Sequence, residues 1–380
     1  MVIGIDIRTL LERKKTGVGE YTYELLSAIF RQNTSHTYIL FANRSAAVPI
    51  DIPPHKNNTV HVVYTKIPNK LLHVSLLYLT FPKLDKLLVK KLGGLVKQVD
   101  YFFSPNIGFC ALSKQCTHIL TIHDLSFLLY KECLTKKRQL WHRVIRPKKQ
   151  CEKACYVITP SRSAKRDVQA VFGISPEKIT PIYPGVSRWC LNSNDTDTAS
   201  VQERYALPEK YILFLGTIEP RKNITRLIGA YTKAALHDKG HHLLIAGKLG
   251  WKSDAILKKI VDTPGVSYLG YVPEEHKKVL YDLATLFVYP SLYEGFGFPV
   301  VEAMAREVPV ITSNRSSLPE VVGSAAYLVD PYNTNELAEG MVRVLGSEAL
   351  QDMYREKGKV QVKRYSWDVA AEQFLTLLKQ

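Results

Sequence analysis

Short β-branched and aromatic runs alternate with stretches of helical period along nearly the whole chain. In the first half VIGID, TYILFA, VHVVYT, DYFFS, HILTIHD, YVITPS and KITPIYPG read as strands, with helical patterns such as YTYELLSAIFRQ and SAKRDVQAVFG between them. In the second half YILFLGT, HHLLIAGK, VSYLGYV, LFVYPS, PVITSN and AYLVDP alternate with NITRLIGAYTKAAL, SDAILKKIVD and EHKKVLYDLA. Repeated strand, helix, strand order calls for parallel sheets covered on both faces, an α/β fold. The stretch SRWCLNSNDTDTASVQERYALP is polar, weakly periodic and ends in proline, so residues 191–207 read as a linker. A chain of 380 residues favours two domains, here 1–190 and 208–365, both doubly wound. Residues 366–380 form a last amphipathic helix with Ser366 as N-cap, expected to pack back on the N-terminal domain. Open parallel sheets bind ligands beyond the carboxyl ends of their strands, which places the expected site in a cleft between two facing domains.

Composition is that of a folded protein, with 46% hydrophobic and 23% charged residues. Charge is less ordinary. The net charge is +16, and residues 1–200 carry 29 basic and 14 acidic side chains against 22 and 21 in residues 201–380. Such a field suits nucleic acid, an anionic membrane surface or an acidic substrate. A nucleic-acid partner is set aside, because the basic residues are scattered and no helix-turn-helix, finger or aromatic RNA-binding signature stands out. None of the six cysteines forms a CxxC pair, and MVIGIDIRTLL has no basic leader before an apolar run. Free thiols and a cytoplasmic location are expected. The longest apolar run, LLHVSLLYLTF at 71–81, is too short to span a bilayer.

Four motifs carry candidate chemistry. In SLYEGFGFPVVEAMA, Glu294 precedes a helix that Pro299 suits in its first turn, and Glu302 lies about one turn inside it. Gly295 and Gly297 allow φ values and a close backbone approach that other residues resist, and the helix start offers free N–H groups to an anion or hydroxyl. A dipole-favoured acidic helix start would explain one glutamate, not the pair with its glycines. In FLGTIEPRKNITRL, a strand ends at Gly216 and Thr217, and Arg221 and Lys222 follow beside the next helix, a site for a diphosphate or else a solvated basic turn. In KKTGVGEYT, Gly17 and Gly19 flank Val18 just before a helix, but Thr22 replaces the last glycine of GxGxxG, so a nicotinamide cofactor is discounted. His123 and Asp124 end the strand of ILTIHDLSF, where a substrate contact competes with a capped surface residue. Asp195-Thr196-Asp197 has D-x-D spacing but sits in the polar linker, so no metal is assigned and leaving-group charge falls to Arg221, Lys222 and the helix dipole.

Together GVGEYT at 17–22, HD at 123–124, ITPS at 158–161, GTIEPRKN at 216–223 and EGFGFPVVEA at 294–303 resemble the retaining glycosyltransferases of family 4, most closely the bacterial mannosyltransferase branch that builds surface polysaccharides such as lipopolysaccharide. The resemblance implies the GT-B fold, two facing Rossmann-like domains. It implies that Glu302 binds the nucleotide ribose and Glu294 the donor hexose, with Phe296 and Gly297 N–H groups on the sugar and Gly295 and Phe298 in the same loop. Arg221 and Lys222, with Gly216 and Thr217, would hold the diphosphate, and Gly19 would approach it from the other domain. His123 would touch the sugar near the reacting carbon, while Glu20 and Asp124 face the acceptor. His123, Glu294, Arg221 and Lys222 form the implied catalytic set. GDP-mannose is the first choice of donor, UDP-glucose or UDP-N-acetylglucosamine fit the same grip, and no separate cofactor is expected. The implied reaction transfers the hexose with retention to a glycan or lipid-linked acceptor. An epimerase or hydrolase of sugar nucleotides on this fold is the alternative.

In FPKLDKLLVKKLGGLVKQ, Leu84, Leu87, Leu88 and Leu95 fall at helical spacing with Lys83, Lys86, Lys90 and Lys97 on another face. Such a helix could lie on an anionic membrane, making the protein peripheral at the inner face of the cell membrane, or simply pack on its own sheet.

Overall fold

The computed structural model describes residues 1–11, 17–32, 34–43, 50–55, 58–191 and 197–379. All thirteen runs read as strands are strands, in two wholly parallel sheets. The chain packs into two units. One comprises Met1–Leu125, Leu140–Gly185 and Ser366–Gln380, the other Ser126–Gln139 and Val186–Tyr365.

The first unit holds a seven-stranded sheet: β1 (Val2–Asp6), β2 (Thr37–Asn43), β3 (Thr59–Thr65), β4 (Tyr101–Ser104), β5 (Thr117–Thr121), β6 (Tyr156–Thr159) and β7 (Ile179–Pro181), in the order β3-β2-β1-β4-β5-β6-β7. Its first helix, α1 (Gly17–Arg31), begins at Gly17, so Gly19 lies inside the first turn rather than ahead of it, and Tyr21, Leu25, Leu26, Ile29 and Phe30 are buried. The short α2 (Asn69–Val74) and α3 (Leu84–Lys91) follow β3. After β6, α4 (Arg162–Phe172) has both ends set by sequence: Ser161 Oγ accepts the Ala164 N–H at 3.0 Å, and Gly173 closes it in the left-handed region at φ +68°.

The second unit holds six strands: β8 (Tyr211–Leu215), β9 (His242–Ala246), β10 (Val266–Gly270), β11 (Leu286–Tyr289), β12 (Val310–Ser313) and β13 (Tyr327–Val329), in the order β10-β9-β8-β11-β12-β13. Every residue of β8, β11 and β12 is buried, as strands covered on both faces require. Helix α5 (Ile224–Lys233) follows β8, and α6 (Phe298–Ala305) follows β11. Ser126–Gln139 joins this unit through Trp251, whose Nε1 donates to Cys133 O at 2.6 Å while the Arg138 guanidinium lies 4.1 Å over its ring. The last helix, α7 (Trp367–Leu377), belongs to the first unit, packing on α1 with an Arg31–Asp368 ion pair at 2.5 Å.

Two local expectations change. Thr198–Tyr205, inside the stretch read as linker, is a helix, because Asp197 caps Ser200 N–H at 3.2 Å and Val201 is buried. Asp195 and Thr196 of the rejected D-x-D lie outside the described residues. The proposed membrane helix ends at Lys91, before Gly93 and Gly94 at φ +59° and +94°, so Leu95 is not part of it. Its Leu84 and Leu88 are fully buried in the core with Leu72, Phe102 and Val99, so the apolar stripe serves its own sheet. All six cysteines are free thiols.

Candidate active site

In each sheet the strand order reverses once, between β1 and β4 and between β8 and β11. The loops leaving such a switch point diverge and open a crevice at the carboxyl edge. In the second unit those loops are the two richest motifs of the sequence. From β8 the chain passes Gly216 and Thr217 into a 3-10 turn, Pro220–Lys222, before Asn223 adopts φ +61° and opens α5. From β11 it passes Glu294 and the glycines into α6.

The side chains of these loops meet. Glu294 Oε1 accepts from Lys222 Nζ at 2.6 Å and from Tyr289 Oη at 3.0 Å, and its Oε2 accepts from Arg221 Nη1 at 3.1 Å. Lys222 Nζ also donates to Tyr289 Oη at 2.7 Å. Arg221 reaches Glu219 Oε1 with Nη2 at 2.6 Å and Tyr293 O with Nη1 at 2.6 Å. All five side chains are buried or nearly so. Burial alone would raise the Glu294 pKa, but Lys222 and Arg221 outweigh it and hold the carboxyl at about 2. Burial and the neighbouring Arg221 bring Lys222 below its ordinary value, against the pull of Glu294 and Glu219. Two cations and two carboxylates thus form one compact ionic cluster.

The loop around Glu294 is pinned. Its N–H donates to Ser316 Oγ at 2.9 Å, and Ser317 Oγ lies 2.9 Å from both Glu294 O and Phe296 O. The Phe296 ring is buried edge-on to Tyr365 at 5.3 Å, so only its backbone can face a ligand. Gly297 caps α6 at φ +113°, where a Cβ would come 2.7 Å from Leu318 Cδ2. Gly295, expected to share that freedom, does not use the left-handed region. Gly216 has an ordinary φ, and a Cβ there would make ordinary contacts with the Tyr289 ring at 3.4 Å and the Phe214 ring at 3.6 Å. The protein's own packing therefore leaves room at Gly216. Glu302, the fifth residue of α6, accepts from Tyr281 Oη at 3.0 Å and Ser187 Oγ at 3.3 Å. Burial, then the Glu302 charge, drives the Tyr281 hydroxyl well above its usual pKa, so it stays a donor.

Within the first unit His123 follows β5, and its Nε2 lies 2.8 Å from Pro105 O in the loop after β4. A carbonyl only accepts, so Nε2 carries the proton and Nδ1 is the acceptor face. The Tyr21 ring, one residue after Glu20 on α1, stands edge-on to the imidazole at 4.7 Å, and Trp367 of α7 backs Tyr21 at 5.7 Å. Burial lowers the His123 pKa, with the Pro105 contact and Asp124 opposing, so the ring is neutral near pH 7.

Motif reading thus reached Arg221, Lys222, Glu294, Gly297 and Glu302, which the second unit brings to one sheet edge, and Gly19, Glu20, His123 and Asp124, which lie in the first. It missed Glu219, Tyr289, Ser187 and Tyr281, which hold those groups in place. Glu219 alone had a local signal, a carboxylate two residues before Arg221. Among the described residues no three His, Cys, Asp or Glu side chains gather closely enough to share a metal ion.

Residues 15–188 match the family described as Glycosyltransferase Family 4, and residues 195–361 match Glycosyl transferases group 1. The chain is also similar to the O-antigen chain mannosyltransferase B of Escherichia coli, 31% identical over 267 residues, 69% of this chain and 70% of that protein. The chain is a family 4 glycosyltransferase. The transferase is 29% identical over 274 residues to the serotype-specific mannosyltransferase WbdA of Escherichia coli, a match covering 69% of this chain and 34% of that longer protein. Its fold is that of sucrose-phosphate synthase from Thermosynechococcus elongatus, with a TM-score of 0.74 at 21% identity over 100% of this chain and 98% of that one. The glycosyltransferase therefore has the GT-B architecture of two Rossmann-like units. Among its described residues no helix is long and apolar enough to cross a membrane.

Proposed function

We propose that the protein transfers mannose from GDP-mannose to a hydroxyl of a glycan or lipid-linked acceptor in surface polysaccharide synthesis, with the anomeric configuration retained and without a bound metal. The observation that carries this reading is the buried cluster of Glu294, Lys222 and Arg221 at the switch point, with Glu302 on the following helix. Its N–H donors suit the diphosphate, the α6 start adds a favourable dipole, Glu302 suits the ribose hydroxyls, and Glu294 suits a hexose hydroxyl. The likeness to mannosyltransferases favours mannose as the sugar.

The chemistry then rests on positioning and charge. Lys222, Arg221 and the helix start stabilise the departing diphosphate, and the acceptor hydroxyl enters on the same face, passing its proton to the leaving phosphate oxygen. His123, neutral with Nε2 committed to Pro105, offers Nδ1 to a sugar hydroxyl. A thermal-shift panel of GDP, UDP and ADP with and without chelator, followed by NMR of the product's anomeric proton, tests the reading. GDP should stabilise most, equally in chelator, and the product should keep the donor's configuration. Preference for UDP would reassign the donor, and an inverted product or strict metal dependence would overturn the mechanism.

A further inference from the structure

The segment between β3 and α3 is apolar on both its sides. Helix α2 and the π-helical turn Ser75–Leu79 that continues it bury Leu72 and Leu76, one helical turn apart, in the core of the first unit. Leu71, Val74 and Tyr78, with Leu79 and Phe81 beyond them, lie on the other side and are 54 to 70% exposed. Leu95, after α3, is 71% exposed. A helix that is apolar all round is normally covered, and six large exposed side chains in one region mark a contact surface rather than scattered surface residues.

The charge around this surface has one sign. Lys66, Lys70, Lys86, Lys90, Lys91 and Lys97 are exposed, and the single acidic residue from 66 to 99, Asp85, is buried and takes the Ser113 N–H at 2.8 Å. Leu72, Leu76, Leu84, Leu88 and Val96 belong to one core, so both segments cover the same hydrophobic cluster.

We infer that residues 69–81, flanked by these lysines, form the surface by which the protein lies on an anionic lipid bilayer. Apolar side chains enter the headgroup boundary while lysines meet lipid phosphates, and each contribution alone is too weak for stable attachment. The leucines of α3 take no part. The inference deepens the acceptor side of the proposed function, resting on it for its purpose only.

Flotation with phosphatidylcholine vesicles, with and without phosphatidylglycerol, tests it apart from turnover. The protein should float with anionic vesicles only and dissociate in high salt, where screening shortens to about 3 Å. Leu79→Ser/Phe81→Ser and, separately, Lys90→Glu/Lys91→Glu should each weaken binding by ~10-fold or more, while transfer to a water-soluble acceptor is retained in both. Failure of the wild type to float, or equal flotation of either double variant, would overturn the inference. So would a wild-type dimer that Leu79→Ser/Phe81→Ser dissolves, which would give the surface to a second copy.

Discussion

Replacing Glu294 by glutamine removes one charge and almost no volume, so its effect isolates the ionic cluster. The carboxyl falls from an ordinary 4.5 to about 2 in the folded chain. A carboxylate so lowered stabilises the fold above its unfolded pKa and loses that contribution as pH falls through the folded one. At pH 7 the difference corresponds to about 3 kcal/mol, and about 1 kcal/mol of it survives at pH 3. The contacts give the same scale, since Lys222 would lose the buried carboxylate charge that its ammonium pairs with at 2.6 Å, and breaking such a pair costs about 3 kcal/mol or more. Urea unfolding of wild type and Glu294→Gln, followed by tryptophan fluorescence from pH 7 to pH 3, should show a gap of that size that shrinks by more than half. General acid destabilisation affects both proteins and cancels in the comparison. A gap unchanged from pH 7 to pH 3 would mean that packing, not charge, holds the loop, and no gap at pH 7 would remove the cluster from the account altogether.

Lys222→Ala should lower turnover by ~100-fold or more with a smaller change in KM, as loss of a preorganised charge contact does; near-normal steady-state kinetics would refute its phosphate role. Gly297→Ala should lower stability by about 1–3 kcal/mol in thermal unfolding, because alanine at φ +113° is strained and its Cβ meets Leu318. Tyr21→Leu should bring water to His123 and raise its pKa toward the ordinary value, read by NMR titration, while Tyr21→Phe, which keeps the edge-on ring with its centroid 4.7 Å from that of the imidazole, should leave it in place.

The strands were legible because parallel strands, buried on both faces, must be continuous apolar runs, and YILFL and LFVY are buried at every position. Helix ends with a chemical signal were legible too, as at Ser161 and Gly173, and so was the Gly297–Pro299 entry to α6. The partners of the motif residues were not. Tyr289 and Lys222 are 67 positions apart, and Ser187 and Glu302 are 115 apart; only strand order brings them together. Helical period left the lysine-rich helix with two readings for a defined reason. It finds an apolar stripe but not what the stripe faces, and Leu84 and Leu88 face their own sheet. The more exposed apolar stretch was LLHVSLLYLTF, weighed only as a membrane span and found too short.

The ionic cluster also bears on how a diphosphate would enter. Arg221 and Lys222 left bare and buried would attract phosphate most strongly, but the fold would then carry two uncompensated charges in a poorly solvated place. Glu219 and Glu294 remove that penalty, and they do so differently. Glu219 is fully buried and, among the described residues, forms its ion pair with Arg221 alone, whereas Glu294 bridges both cations and sits in the loop that leads into α6. A phosphate reaching for the Lys222 ammonium competes with Glu294 for the same donor. Displaced from it, the Glu294 carboxylate needs a new hydrogen bond, and a hydroxyl of the attached hexose can supply one. Sugar and phosphate would then bind cooperatively, each releasing a partner that the other satisfies. On this reasoning Glu294→Gln, in which Lys222 is no longer held by an anion, binds free GDP at least as tightly as wild type while losing affinity for the sugar nucleotide. Calorimetry with both ligands measures the two constants, and a parallel loss of affinity for each would show that Glu294 merely shapes the site.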